Sequence, residues 1–226
     1  MMQPKDFEAS ADDGFAGPVN AGRTGRTPVP TSTRRKAMPA FRKQSQAPIY
    51  QLKVTLRDSK PPIWRRVQLP ADITLHKLHR VLQTVMGWTD SHLHQFVVDG
   101  EIYGEPDPAF DLDVKSERRA RLHQIVRGEK DKFIYEYDFG DGWEHVVLLE
   151  KVLPTEPGAR YPVCLTGRRA CPPEDVGGVG GYAEFLGTIG DETHPEHEEM
   201  LEWVGREFDP EHFDLEDTNA ALRLLR

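Results

Sequence analysis

The first regular pattern along the chain is an alternation. Tyr50, Leu52, Val54 and Leu56 stand at every second position, the period of a strand with one buried face. Pro61-Pro62 interrupts it, and 63–69, with Ile63, Val67 and Leu69, predicts a second strand paired with the first. The period then lengthens. Leu75, Leu78, Leu82, Val85 and Met86 follow the i, i+3, i+4, i+7 spacing of an amphipathic helix, with Thr74 placed to cap its start and Gly87 its end. Positions 92–98 predict another strand, and Asp99-Gly100 marks a tight turn into Glu101-Ile102-Tyr103. Ser116 can cap a short helix through Leu122, Ile125 and Val126. Phe133, Tyr135, Tyr137 and Phe139 alternate again and lead across Gly140-Asp141-Gly142 into a return strand over 143–152, which carries Trp143, His145, Val147 and Leu149 on one face. Beyond Tyr161 the regularity stops. Pro, Gly and Cys crowd the stretch up to Gly181 and predict an irregular loop, followed by short helices over 182–189, over 195–204 with Gly205 as stop, and from about Thr218 onward. Strands early and helices late predict an α+β fold, with helices on one face of a mainly antiparallel sheet.

Charge divides the chain further. The formal net charge of −8 is an average: residues 1–47 carry 8 basic and 4 acidic groups, 48–170 carry 18 of each, and 171–226 carry 3 and 15. No acid occurs from Gly14 to Arg57, and up to residue 47 this stretch is rich in Gly, Pro, Ser and Thr. Too little apolar surface is available there to offset the cost of ordering the backbone. The chain is therefore expected to divide into a disordered basic arm, 1–47, and a single domain, 48–226. The acidic balance excludes a wholly basic nucleic-acid coat, although Arg23, Arg26, Arg34, Arg35, Lys36, Arg42 and Lys43 suit a weak, salt-sensitive contact with nucleic-acid phosphates. No run approaches the roughly 18 apolar residues of a membrane span, and the start lacks the apolar stretch of a secretory signal. A cytoplasmic protein without membrane contact is expected. Two cysteines, Cys164 and Cys171, cannot form a disulfide framework.

Several strings go beyond pattern. Pro61-Pro62-Ile63-Trp64-Arg65-Arg66, Met86-Gly87-Trp88, His92-Leu93-His94-Gln95-Phe96, Tyr137-Asp138-Phe139-Gly140-Asp141-Gly142-Trp143-Glu144-His145 and Cys171-Pro172-Pro173-Glu174-Asp175-Val176-Gly177-Gly178 occur in that order. In these strings, over about residues 48 to 222, the chain resembles the Ri-plasmid open-reading-frame-three-like family, some of whose members are labelled TnpR-like passenger proteins of insertion elements. The resemblance implies an α+β domain associated with plasmids and mobile elements. A serine recombinase would need a helix-turn-helix tail, and the chain has no such pattern.

The same strings hold the candidate chemistry. If Asp141-Gly142 forms a two-residue turn, Asp138 faces His145; if Gly140-Asp141 does, Glu136 faces it. Either arrangement sets a carboxylate beside an imidazole, which makes Asp138 and His145 candidates for acid–base catalysis, against a purely structural hairpin tip. His92 and His94, two apart on a strand, project from one face and could chelate a divalent metal such as zinc, with His145 or Asp138 as a third ligand. His76 and His79, one turn apart on the helix, are expected at the boundary of its apolar face. Cys164, Cys171, His194 and His197 offer a second four-ligand set, although the cysteine spacing departs from common zinc templates. Gly177-Gly178-Val179-Gly180-Gly181 is expected to serve a turn needing positive φ rather than a phosphate. The leading functional expectation is a non-enzymatic accessory or binding domain that recognises a protein, peptide or nucleic-acid-associated partner through Trp88, Asp138, Asp141, Trp143, Glu174 and Asp175. Its alternative is a metal-dependent hydrolase or nuclease in which His92, His94, Asp138 and His145 activate a water.

Overall fold

A computed structural model describes residues 47–106 and 113–225, so the expected disordered arm lies outside the described residues except at its last position. Among the described residues, eight strands form a single sheet: β1 (Ile49–Leu56), β2 (Trp64–Pro70), β3 (His94–Val98), β4 (Glu101–Gly104), β5 (Val114–Ser116), β6 (Lys132–Tyr137), β7 (Trp143–Leu153) and β8 (Val163–Arg168). Their order across the sheet is β5-β4-β3-β6-β7-β1-β2-β8, and every pairing is antiparallel except β4 with β5. Five helices in the same described residues accompany it: α1 (Leu75–Met86), the single turn α2 (Leu122–Ile125), α3 (Gly178–Ile189), α4 (His197–Val204) and α5 (Leu215–Leu222). The fold is α+β.

The core lies where the patterns place it. Leu52, Val54 and Leu56 of β1, Val67 and Leu69 of β2, and Val147 and Leu149 of β7 are buried together with Leu75, Leu78, Leu82 and Val85 of α1. Thr74 caps α1 by accepting from the backbone N–H of Lys77, and Gly87 ends it in the left-handed conformation at φ 95°. The opposite face of the sheet is polar: Arg66 of β2 forms a two-pronged ion pair with Glu150 of β7, and Gln51 and Gln68 link side chains beside it.

Three expectations change. The stretch after Tyr161 is not all loop, because β8 pairs with β2 and closes the sheet edge. Its sequence, Val163-Cys164-Leu165-Thr166-Gly167-Arg168, lacks clean alternation, and its register shifts between Arg66 and Val67 of the partner strand. Arg65 and Arg66 lie in a stretch of balanced charge, where solvated faces are expected of them, but Arg65 is not a solvated basic residue. It is 2% exposed and donates to the carbonyls of Val85, Trp64 and Arg168, and Phe213 stacks on its guanidinium at 4.2 Å. A lone charge in this core is tolerated because carbonyls at the C-terminal end of α1 and along β2 and β8 accept its protons.

The third change is the β6–β7 register. Tyr135 lies opposite His145 and Tyr137 opposite Trp143, so the connection is the five-residue loop 138–142 rather than a two-residue turn. Neither Asp138 nor Glu136 faces His145. Both registers expected from two-residue turns set an odd-numbered position across from an even one, which would oppose the buried aromatic face of β6 with the solvated face of β7. Burial of Phe133, Tyr135 and Tyr137 with Trp143, His145 and Val147 outweighs the turn preference.

Candidate functional site

A cleft of about 560 Å³ opens where α1 passes the ends of β3 and β4, lined among others by His76, His79, Asp90, His92, Leu93, His94, Glu117 and Phe139. Its floor is a hydrogen-bonded ring. The backbone N–H of Asp90 donates to Gln83 Oε1 (3.0 Å), and Gln83 Nε2 donates to the Tyr135 hydroxyl (2.9 Å). The Asp90 carboxylate can only accept, so His79 Nε2 donates to Asp90 Oδ1 at 2.7 Å, and Nδ1 of the neutral ring accepts from the Tyr135 hydroxyl at 2.9 Å. The chain closes on the residue where it began. Burial, followed by the neighbouring His94, pushes the His79 pKa down, in keeping with a neutral ring.

His94 stacks on His79 with centroids 3.5 Å apart and planes 6° from parallel. Its Nε2 donates to Glu117 Oε2 at 2.7 Å, while His76 Nδ1 donates to Glu117 Oε1 at 2.8 Å and Arg118 donates to His76 Nε2 at 3.3 Å. Glu117 is 1% exposed. Burial alone would raise its pKa, but the hydrogen bonds from His94 and His76 outweigh that and hold the carboxyl below its ordinary value. At the mouth stand two exposed apolar side chains, Leu93 at 73% and Phe139 at 50%. The backbone N–H of Asp138 donates to the Leu93 carbonyl (2.8 Å) and sets these two segments side by side.

Beside the cleft, three loops interlock. Trp88 Nε1 donates to the Pro172 carbonyl, the Thr89 backbone N–H and the Tyr137 hydroxyl donate to Glu174, and the Gly177 N–H donates to Asp141 Oδ2 at 3.1 Å. Gly178, at φ 70°, approaches so closely that a Cβ there would stand 2.4 Å from the Asp141 carbonyl oxygen. The glycine run thus serves a positive-φ turn and a close approach, and continues into α3. Trp88, Asp138, Asp141, Trp143, Glu174 and Asp175 do gather in one region, but Trp88 and Trp143 are buried beneath the loops at 7% and 0% exposure and present no ring to a partner.

Within this junction His92 Nε2 lies 3.2 Å from Asp175 Oδ1 and 3.6 Å from Asp138 Oδ2. That nitrogen is buried and makes no hydrogen bond, a condition shared among the described residues by Trp143 Nε1 and His145 Nε2. Asp138 is itself 7% exposed, and its other oxygen accepts from the N–H groups of Gly140 and Asp141.

The proposed four-residue centre of His92, His94, Asp138 and His145 is not assembled. His92 meets Asp138, whereas His94 belongs to the Glu117 cluster. His145 is fully buried against Trp88 and Tyr135, with Nδ1 3.3 Å from the Tyr135 carbonyl; burial lowers its pKa to about 4. The second set does not meet either. Among the described residues, the His, Cys, Asp and Glu groups with mutually close donor atoms are His79 with Asp90 and His94, and His92 with Asp138 and Asp175. Cys164 is buried in β8 and Cys171 lies near Arg65, burial raising both thiols; His194 accepts from the Glu196 N–H, and His197 donates to the Thr188 carbonyl. Sequence reasoning missed Asp90, Glu117 and Gln83, and placed His79 only at a helix boundary. The i, i+3 and i+4 spacings of His76, His79 and Gln83 on α1 were the available signal.

The fold and the two polar clusters define a class: an α+β domain with a polar-floored cleft beside a knot of loops. The chain belongs to the plasmid pRiA4b ORF-3-like family, whose model matches residues 48–217. It is 44% identical over 160 residues to the uncharacterised protein y4hQ of Sinorhizobium fredii, covering 70% of this chain and 82% of that one. It also resembles the crystal structure of MM3350, a protein of unknown function from Methanosarcina mazei, with 40% identity and a TM-score of 0.69 over 75% of this chain and 97% of the other. No described helix is long and apolar enough to cross a membrane.

Proposed function

We propose that this domain is a non-enzymatic binding module whose cleft receives an apolar side chain of a protein or peptide partner. One observation carries the proposal: Leu93 and Phe139 are exposed at the mouth of a concave site whose polar floor is already engaged with itself. Acid–base catalysis needs a group able to give or take a proton from a substrate. His79 has both nitrogens committed inside the ring, and Glu117 has both oxygens committed to histidines. An apolar anchor entering between Leu93 and Phe139 would remove all three side chains from water, at roughly 1.5–3 kcal/mol for each one fully buried.

The test is direct. Peptides selected by display against the full chain are titrated against Leu93→Asp and Phe139→Asp. Binding is expected to weaken at least tenfold in each variant while the urea midpoint stays unchanged. Selected peptides that bind both variants as tightly as the parent would overturn the reading. The basic arm is a separate element of the proposal, supplying a weak electrostatic contact with nucleic acid.

A further inference from the structure

The geometry points to a divalent-cation site at His92, Asp138 and Asp175, and we propose that it binds a first-row transition dication of the Zn²⁺ or Mn²⁺ type. The inference goes beyond the binding-module reading, and neither requires the other.

The donor set is one imidazole and two carboxylates, and one donor atom from each residue lies within 4.8 Å of the other two. Two ligands each about 2.1 Å from a tetrahedral ion stand about 3.4 Å apart. His92 Nε2 lies 3.2 Å from one carboxylate oxygen and 3.6 Å from the other, either side of that separation. It hydrogen-bonds to neither, although its position is buried. The third separation, between the two carboxylate oxygens, is under 4.8 Å, so the three donors lie close enough together to share one ion.

The other close group, His79 with Asp90 and His94, behaves in the opposite way. There the His79–Asp90 separation is 2.7 Å, a hydrogen bond, and the Tyr135 proton on Nδ1 keeps the hydrogen on Nε2. A metal at that nitrogen would require breaking the ring. At His92 no such bond has to be broken, and the Asp138 oxygen facing it is not the one that accepts from Gly140 and Asp141.

Charge and chemistry select the ion. Two carboxylates beside one imidazole leave an excess of negative charge for a cation to offset. A mixed nitrogen and oxygen set favours Zn²⁺ or Mn²⁺ over Mg²⁺ and Ca²⁺, which prefer oxygen alone. Asp175 has a side chain 72% exposed, so water can complete the coordination. The ion would join the segment before β3, the β6–β7 loop and the loop before α3.

Chelator-treated full chain is titrated with Zn²⁺, Mn²⁺ and Mg²⁺ by calorimetry, and Co²⁺ is added to read the ligand type by absorption. Expected are one transition ion per chain, at least tenfold weaker Mg²⁺ binding, and a Co²⁺ spectrum without a thiolate charge-transfer band. His92→Gln, Asp138→Asn and Asp175→Asn should each weaken Zn²⁺ at least tenfold, while His79→Gln, Cys171→Ser and His194→Ala leave it unchanged. Asparagine tolerates the left-handed backbone at Asp138 and keeps the loop acceptor. If that variant nevertheless unfolds, the exposed Asp175→Asn decides. Absence of a one-to-one site for both Zn²⁺ and Mn²⁺, binding unaffected by Asp175→Asn and His92→Gln, or loss of binding in His79→Gln with its fold intact would overturn the proposal.

Discussion

Two clusters built from the same kinds of side chain, imidazoles and carboxylates, use them to opposite ends. In the cleft floor, His79, His94 and His76 stand 2.7–2.8 Å from carboxylate oxygens of Asp90 and Glu117, and every such contact is a hydrogen bond. At the loop junction, His92 stands 3.2 and 3.6 Å from Asp175 and Asp138 and bonds to neither. A few tenths of an ångström separate a network that fixes its own protons from a set of donors able to share an external ion. The first cluster is expected to contribute to stability and the second to ligand binding.

Substitution in the ring should have the largest effect. His79→Ala removes the acceptor of the Tyr135 proton and the donor to Asp90 and opens a cavity, and should cost about 3–4 kcal/mol by urea denaturation. His92→Ala, measured without added metal, should cost less than about 1 kcal/mol; equal losses at the two histidines would erase the contrast. Acid provides a second probe. The pKa of His145 is lowered to about 4 by burial, with the Arg65 charge adding to it. Stability is therefore complete above the unfolded value near 6.5 and falls as the pH drops from there toward 4, because the unfolded chain takes up a proton that the folded chain refuses. This loss amounts to about 3 kcal/mol. His145→Leu should reduce the slope of the stability curve across that window, His79 contributing the remainder, and an unchanged slope would place the titration elsewhere.

Smaller effects sharpen the junction. Gly178→Ala forces a Cβ against the Asp141 carbonyl and should lose about 2 kcal/mol. Asp141→Ala, which removes the acceptor for the Gly177 N–H, should lose about 1 kcal/mol in the same urea assay. The smallest change is expected at the cleft mouth, where Leu93→Asp should shift stability by less than about 0.5 kcal/mol while weakening peptide binding at least tenfold. Deleting residues 1–47 should leave folding intact and remove any nucleic-acid affinity that falls steeply with salt. Affinity retained by the shortened chain would remove the arm from the proposal.

Much of the fold was legible because its elements are amphipathic. The alternation in β1 and β7 and the apolar stripe of α1 read directly as buried faces, and Thr74 and Gly87 marked the ends of α1. The β6–β7 register was also within reach. Matching the aromatic face at 133, 135 and 137 with the apolar face at 143, 145 and 147 excludes a two-residue turn, whereas turn preference taken alone points the other way. Strand β8 was not legible, since its sequence has no clean period and its place at the sheet edge depends on pairing with β2.

By itself the sequence determined the α+β class, the buried faces and the family strings, all of which follow from local spacing and residue type. Only the tertiary structure decided which polar groups meet. Asp90 and Glu117 reach histidines 11 to 41 residues away, Asp175 reaches His92 from the loop before α3, and Arg65 enters the core. Periodicity shows which face of an element turns inward, but it contains no term for the distance between side chains on different elements. At that distance an imidazole beside a carboxylate becomes either a closed hydrogen bond or an open ligand.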